Sequence, residues 1–253
     1  MNFDLLASIE MTACAAVAIA VLAIGFGKDV SARIRIASGL AVWFMLVTLM
    51  AATEVLHYEH GLGVPGLGIA VMLPIVILCA GVLRSPTLHR ALRAIPLSML
   101  IGVNVIRAFG VTFLLRYAAG RLPAPFAPVA GWGDILVGLT AAPVAWLAYK
   151  KGAAAHSTVL IWNVLGLLDL IAAVGLGVVS SPGPLRLIFM EPGSDIMTTL
   201  PWLLIPGFLV PLLASTHLAV FYRLSTTDAV PYGRKRIDRG ERWAQDRVST
   251  TAA

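Results

Sequence analysis

Apolar stretches of membrane-spanning length recur along this 253-residue chain and use up most of it. The hydrocarbon core of a bilayer is roughly 30 Å thick, so a helix needs about 20 mostly apolar residues to cross it. Spans are expected near 5–26, 36–56, 66–83, 96–116, 130–149, 158–179 and 200–222. In lipid each backbone polar group must find its partner within the structure, and for segments this long that means helices. Charged residues are 13% of the chain and apolar ones 58%, a ratio foreign to a soluble domain of this size. The expected fold is all-α: a polytopic integral membrane protein with seven transmembrane helices in one bundle. Residues 1–223 form one transmembrane domain. Residues 224–253 mix Arg234, Lys235, Arg236 and Arg239 with Asp238 and Glu241 and hold little apolar content. They are expected to be a disordered basic cytoplasmic tail.

The charges give an orientation. Lys28, Arg33 and Arg35 follow the first span; Arg84, Arg90 and Arg93 the third; Lys150 and Lys151 the fifth; Arg223 and the basic tail the seventh. The alternate connections hold only Arg116, Arg121 and Arg186. Lys and Arg concentrate on the cytoplasmic side, so the N-terminus is expected out and the C-terminus in. The first cation is Lys28, preceded by Asp4 and Glu10. A signal peptide begins with a positive region, so the first span is expected to be retained. The compact, Ala- and Arg-rich chain points to the cytoplasmic membrane of a bacterium. The net charge of +6 is then a topology signal. The tail's mixed charge, with no binding fold around it, argues against nucleic acid as a partner. Membrane lipid is the expected one.

Ionisable groups at membrane depth are costly and mark a pathway, a pairing or a site. Arg107 falls near the middle of the fourth span, with Asn104 three residues before it on the same face. Arg107 keeps its proton, so it requires a counter-charge or a wet cavity. Asp169, near the middle of the sixth span, is the first candidate. Asp134, about one turn below the outer surface of the fifth, is the next. Glu10 and Glu54 are placed in the outer parts of the first two spans, Asn163 and His217 in the inner half. Gly131 and Gly166 each stand three residues before an aspartate. That spacing puts a small residue on the aspartate's face and invites a close neighbour helix. Cys14 and Cys79 lie in apolar spans and read as buried small hydrophobes. Pro201, Pro206 and Pro211 precede His217 and predict a kink.

Specific chemistries can be weighed against these residues. Gly131-Trp132-Gly133-Asp134 resembles the Gly-x-Gly-Asp signature of the aspartyl intramembrane proteases. In that family the partner aspartate comes first in the chain; here Asp169 follows, and the Tyr-Asp and Pro-Ala-Leu elements are missing. The seven-span plan is similar to that of the rhodopsins, but every lysine lies outside the spans, which removes the Schiff-base site that retinal needs. Bis-histidine haem ligation lacks a second histidine at the depth of His217. Glu54, His57 and His60 could bind a metal at the outer rim, with Glu59 beside them. No cofactor motif is present.

The leading expectation is a protein handling a small solute or ion, with coupling to protons as one form of it. Its cavity opens outward and is lined by Arg107, Asn104, Asp134, Asp169, Asn163 and His217. Arg107 holds an anionic group or the counter-charge, the aspartates titrate, and His217 relays on the inner side. A second expectation is a non-catalytic accessory or sensory subunit, joined to a partner subunit or a second copy through faces such as Ala13, Ala16 and Ala20. A third is a membrane enzyme, aspartyl or metal-dependent.

Overall fold

The structure, a computed structural model, describes residues 3–59 and 61–227. It is all-helical, with no strand among the described residues. Six segments are long and apolar enough to cross a membrane, and one of them, 55 residues long, holds two helices. The order is α1 (Phe3–Phe26), α2 (Val30–Ala52), α3 (Gly63–Arg84) and a short α4 (Pro86–Ala94). Next come α5 (Leu97–Gly102), a 3-10 helix (Val103–Gly110) and α6 (Val111–Ala118), which together make one segment long and apolar enough to cross a membrane. Then follow α7 (Phe126–Lys151), α8 (His156–Ser180), a π turn (Ile205–Leu209) and α9 (Val210–Thr227).

Several boundaries differ from the expected ones. The second helix begins at Val30 because Asp29 caps it, its carboxylate accepting from the Ala32 amide at 2.7 Å. Arg33 and Arg35 therefore stand in the first turns of α2, not in a loop. The helix ends at Ala52, so Glu54 lies in the following turn, exposed and at φ 52°, rather than inside a span. Residues 224–227, expected in the tail, complete α9; the rest of that tail lies outside the described residues. The fourth span is not one α-helix. The last apolar segment is not one either: a π turn that contains Pro206 interrupts it before α9, where the prolines predicted a kink. Cys14 is buried as expected, whereas Cys79 is exposed on the outer face of α3.

Ties between helix ends fix which ends lie together. At the end where α1 starts, Arg116 of α6 pairs with Asp4 and lies 4.2 Å over the Trp202 ring. The Trp202 indole N–H donates to Asp4 Oδ1 at 3.3 Å. Arg116 was expected in a loop; it is 3% exposed. At the opposite end, Arg223 of α9 donates to the carbonyls of Leu92 and Ile95, satisfying the C-terminus of α4. Arg93 Nε donates to the Tyr222 hydroxyl at 3.2 Å.

Helix α7 packs on α5, the 3-10 helix, α6 and α8. Its inward line is made of small residues: Ala127, Ala130, Gly131, Gly138, Ala141, Ala145 and Ala148 are all buried. Small residues let backbones approach where apolar burial gives no drive, as in lipid. The approach is closest at Gly138. A methyl there would fall 2.7 Å from Ala108 Cα and from the Arg107 carbonyl carbon. By contrast α2 and α3 bury little of themselves and turn apolar faces outward. Ala13, Ala16 and Ala20 also face outward.

Gly138→Val should thus push α7 away from the 3-10 helix. The expected loss is about 1–3 kcal/mol or more, visible as a lower unfolding midpoint in detergent. Gly175→Val, where nothing lies within 4 Å of an added methyl, should leave the midpoint in place.

Candidate functional site

The 3-10 helix places the central arginine. With three residues per turn, side chains three apart stack in a row. Asn104, Arg107 and Gly110 form such a row and all are buried, while Val105 and Phe109 are exposed. The row faces α7 and α9.

Arg107 is 4% exposed, and its guanidinium reaches four acceptors. Nε donates to Asp134 Oδ1 at 2.7 Å. Nη2 donates to Asp169 Oδ2. Nη1 donates to the Gly166 carbonyl at 3.0 Å and lies 3.2 Å from His217 Nε2. A guanidinium only donates, so His217 Nε2 accepts and the ring carries its proton on Nδ1. That nitrogen faces Asn163 Oδ1 at 2.8 Å, and the Asn163 amide donates to the His217 carbonyl at 3.0 Å. One directed chain thus runs Arg107–His217–Asn163, with each partner's orientation set by the next.

The glycines before the aspartates do what the spacing implied, with one addition. A methyl on Gly166 would meet the His217 ring. A methyl on Gly133 would overlap the Asp169 carboxylate. The Gly-x-Gly-Asp sequence therefore makes room for the second aspartate against α7, and both aspartates are taken up by Arg107.

Both predicted partners of Arg107 are brought to it. The expected difference in depth between Asp134 and Asp169 does not hold, because α7 starts at Phe126 and not near residue 130. Asp134 is then roughly 12 Å along its helix and Asp169 roughly 16 Å from the end of its own, at 1.5 Å per residue. Asn163 and His217 belong to the same network rather than to a separate inner station. Both His217 ring nitrogens are engaged, which fits orienting Arg107 better than relaying a proton. Asn104 is buried but does not reach Arg107; its amide donates to the carbonyls of Leu100 and Ile101 and to Thr216 Oγ1.

A cavity of ≈ 60 Å³ adjoins Arg107 and Asp134 and extends to Glu10, Cys14 and Thr112, with apolar side chains for the rest of its wall. Thr112 Oγ1 lies 2.8 and 2.6 Å from the two oxygens of Glu10. Thr112 carried no signal in the sequence beyond its place five residues after Arg107. The cavity has room for about four waters, each needing some 10–15 Å³. Organic-ligand pockets start at roughly 300 Å³.

Of the expected metal rim, Glu54 and His57 lie among the described residues. Glu54 is exposed after α2, and the His57 ring accepts from the Glu59 amide at 3.3 Å. His60 lies outside the described residues. Among the described residues no three His, Cys, Asp or Glu side chains converge on a metal position.

A family model described as a domain of unknown function, DUF8737, matches residues 64–225. The matched stretch contains the whole Arg107 network and leaves out α1 with Glu10. No curated protein and no solved structure matches the chain.

Removing Arg107 leaves two carboxylates facing each other without a cation. Arg107→Leu should cost about 3–5 kcal/mol, the scale for breaking a buried pair on one side. Adding Asp134→Asn and Asp169→Asn to it should restore part of the loss, since the triple variant buries no charge. Unfolding midpoints in detergent read both effects. A triple variant less stable than Arg107→Leu would mean that the aspartates hold the bundle by contacts other than their charge.

Proposed function

For this chain, which belongs to the DUF8737 family of domains of unknown function, we propose a membrane protein that handles a small ion, the proton, at the Arg107–Asp134–Asp169 cluster. The observation that carries the reading is the charge count. One guanidinium stands against two carboxylates, so the cluster bears −1 when both are ionised and is neutral with one proton bound. Charge inside a bilayer is costly, and one proton removes it. The adjoining cavity has water's size rather than a metabolite's.

An anionic solute fits this site less well. Arg107 is already outnumbered, and an anion would have to displace an aspartate to reach it. A metal ion fits less well too, because the cavity wall is mostly apolar and offers too few oxygens. A second reading, an accessory or sensory subunit whose network only pins the bundle, is favoured by one observation: all four acceptors of Arg107 belong to the bundle itself.

We place the protein in a bacterial cytoplasmic membrane, with seven spans in one domain and the N-terminus out. The support is the clustering of Lys28, Arg33, Arg35, Arg84, Arg90, Arg93, Lys150, Lys151 and Arg223 at the helix ends opposite the start of α1. In a chain stripped of Cys14 and Cys79, a cysteine put at Lys150 should react with impermeant maleimide only after the membrane is opened. One put at Arg121 should react from outside the intact cell.

Purified protein in liposomes, loaded with a pH-sensitive dye and given a proton gradient, tests the function. The wild type should take up protons faster than empty liposomes. Asp134→Asn and Asp169→Asn should each slow uptake about tenfold or more, the scale for losing a positioned proton-transfer group. Wild-type liposomes no leakier than empty ones would turn the reading to the accessory subunit.

A further inference from the structure

Glu10 stands apart from the Arg107 network yet shares its cavity. Its carboxylate is partly buried on α1, roughly 10 Å along the helix from its start, and accepts from Thr112. Among the described residues no cation pairs with it. Around it the cavity presents four ionisable side chains in all: Glu10 and Cys14 from α1, Arg107 from the 3-10 helix and Asp134 from α7. The remaining wall is largely apolar, including Met11, Ile106, Phe113, Leu170 and Leu213. Water in such a space finds hydrogen-bond partners only at its two carboxylate ends and at the few polar atoms between. It would therefore line up between Glu10 and Asp134.

From this juxtaposition we infer that Glu10 is the proton-loading group of the site. It takes a proton from the side where α1 begins and passes it through cavity water to Asp134. The inference rests on the proton-handling reading of the cluster and adds the route to it. In the transfer the Glu10 O–H bond breaks as a cavity water gains that proton. The water gives up one of its own to an Asp134 oxygen, and Glu10 returns to a carboxylate held by Thr112. The cluster at Arg107 goes from −1 to neutral, and no other reactant is needed. Thr112 is a positioning residue: its hydroxyl holds the Glu10 carboxylate toward the cavity. Cys14 lines the wall one helical turn along from Glu10 and takes no part.

The full-length protein in liposomes is subjected to a rapid drop in external pH, and the C=O band of protonated carboxyls is followed by time-resolved infrared spectroscopy. Asp134→Asn and Asp169→Asn assign the part of the band that belongs to the cluster. Glu10→Gln should slow the rise of that part about tenfold or more and leave its final amplitude unchanged. Glu10→Asp, which keeps the carboxyl, should recover most of the rate. Thr112→Val should give an intermediate rate. A purely structural role for Glu10 would change amplitude and thermal stability together and would not be rescued by aspartate. A cluster band that rises at the wild-type rate in Glu10→Gln overturns the route and leaves the parent reading standing. A wild type with no cluster band at all overturns both.

Discussion

A guanidinium keeps its proton at any ordinary pH, so the charge of Arg107 must be met wherever the chain puts it. The chain puts it in the middle of a bundle. Much else in the core follows from that constraint. α7 supplies Asp134, α8 supplies Asp169 and the Gly166 carbonyl, and α9 supplies His217. Three helices that share no local sequence are held in register by one side chain. Apolar packing alone would not do this in lipid, where the tails are as apolar as leucine and helices associate through close packing and polar contacts.

The 3-10 helix is what makes the register possible. An α-helix turns 100° per residue, so Asn104, Arg107 and Gly110 would spiral around it; in a 3-10 helix they fall in line. The line lets Gly110 lie against Asp134 and Gly131 while Arg107 reaches past it to α8 and α9. A 3-10 stretch of eight residues is long for that geometry. Its backbone is held by the small inward face of α7, where Gly138 rests on Ala108 and Arg107. The special backbone and the special glycines are therefore one feature seen from two helices.

Much of this was legible in the residues. Hydropathy alone located the helices that are long enough to span. The isolation of Arg107 among apolar neighbours marked the candidate site, the intramembrane aspartates Asp169 and Asp134 were its candidate counter-charges, and the Gly-x-x-Asp spacing turned both toward a neighbour helix. What failed was depth. Positions inferred from expected span edges carried errors of a turn, because caps such as Asp29 and the early start of α7 move edges by several residues. Asp134 came out too shallow and His217 too deep for contacts they both make with Arg107. Arg116 was read as a loop cation because charge near a span edge looks the same whether solvated or paired. Its partners Asp4 and Trp202 are distant in sequence, and only tertiary packing brings them together. Cys79 was judged by residue type, but in a bilayer the outside is also apolar, so an exposed cysteine there costs nothing.

The balance of charge at the site bears on what such a protein can do. With one cation and two anions in contact, the network is complete as a set of hydrogen bonds and incomplete as a set of charges. Those two kinds of completeness are separable, because a carboxyl that gains a proton can still accept from arginine through its other oxygen. The hydrogen bonds could therefore survive a change in charge state with little rearrangement. A pin uses both carboxylates as acceptors, Asp134 on Nε and Asp169 on Nη2, while the Gly166 carbonyl and His217 meet Nη1; for charge alone, one aspartate already neutralises the arginine. The surplus negative charge, and the small cavity that reaches Asp134, are the features a structural pin leaves unexplained.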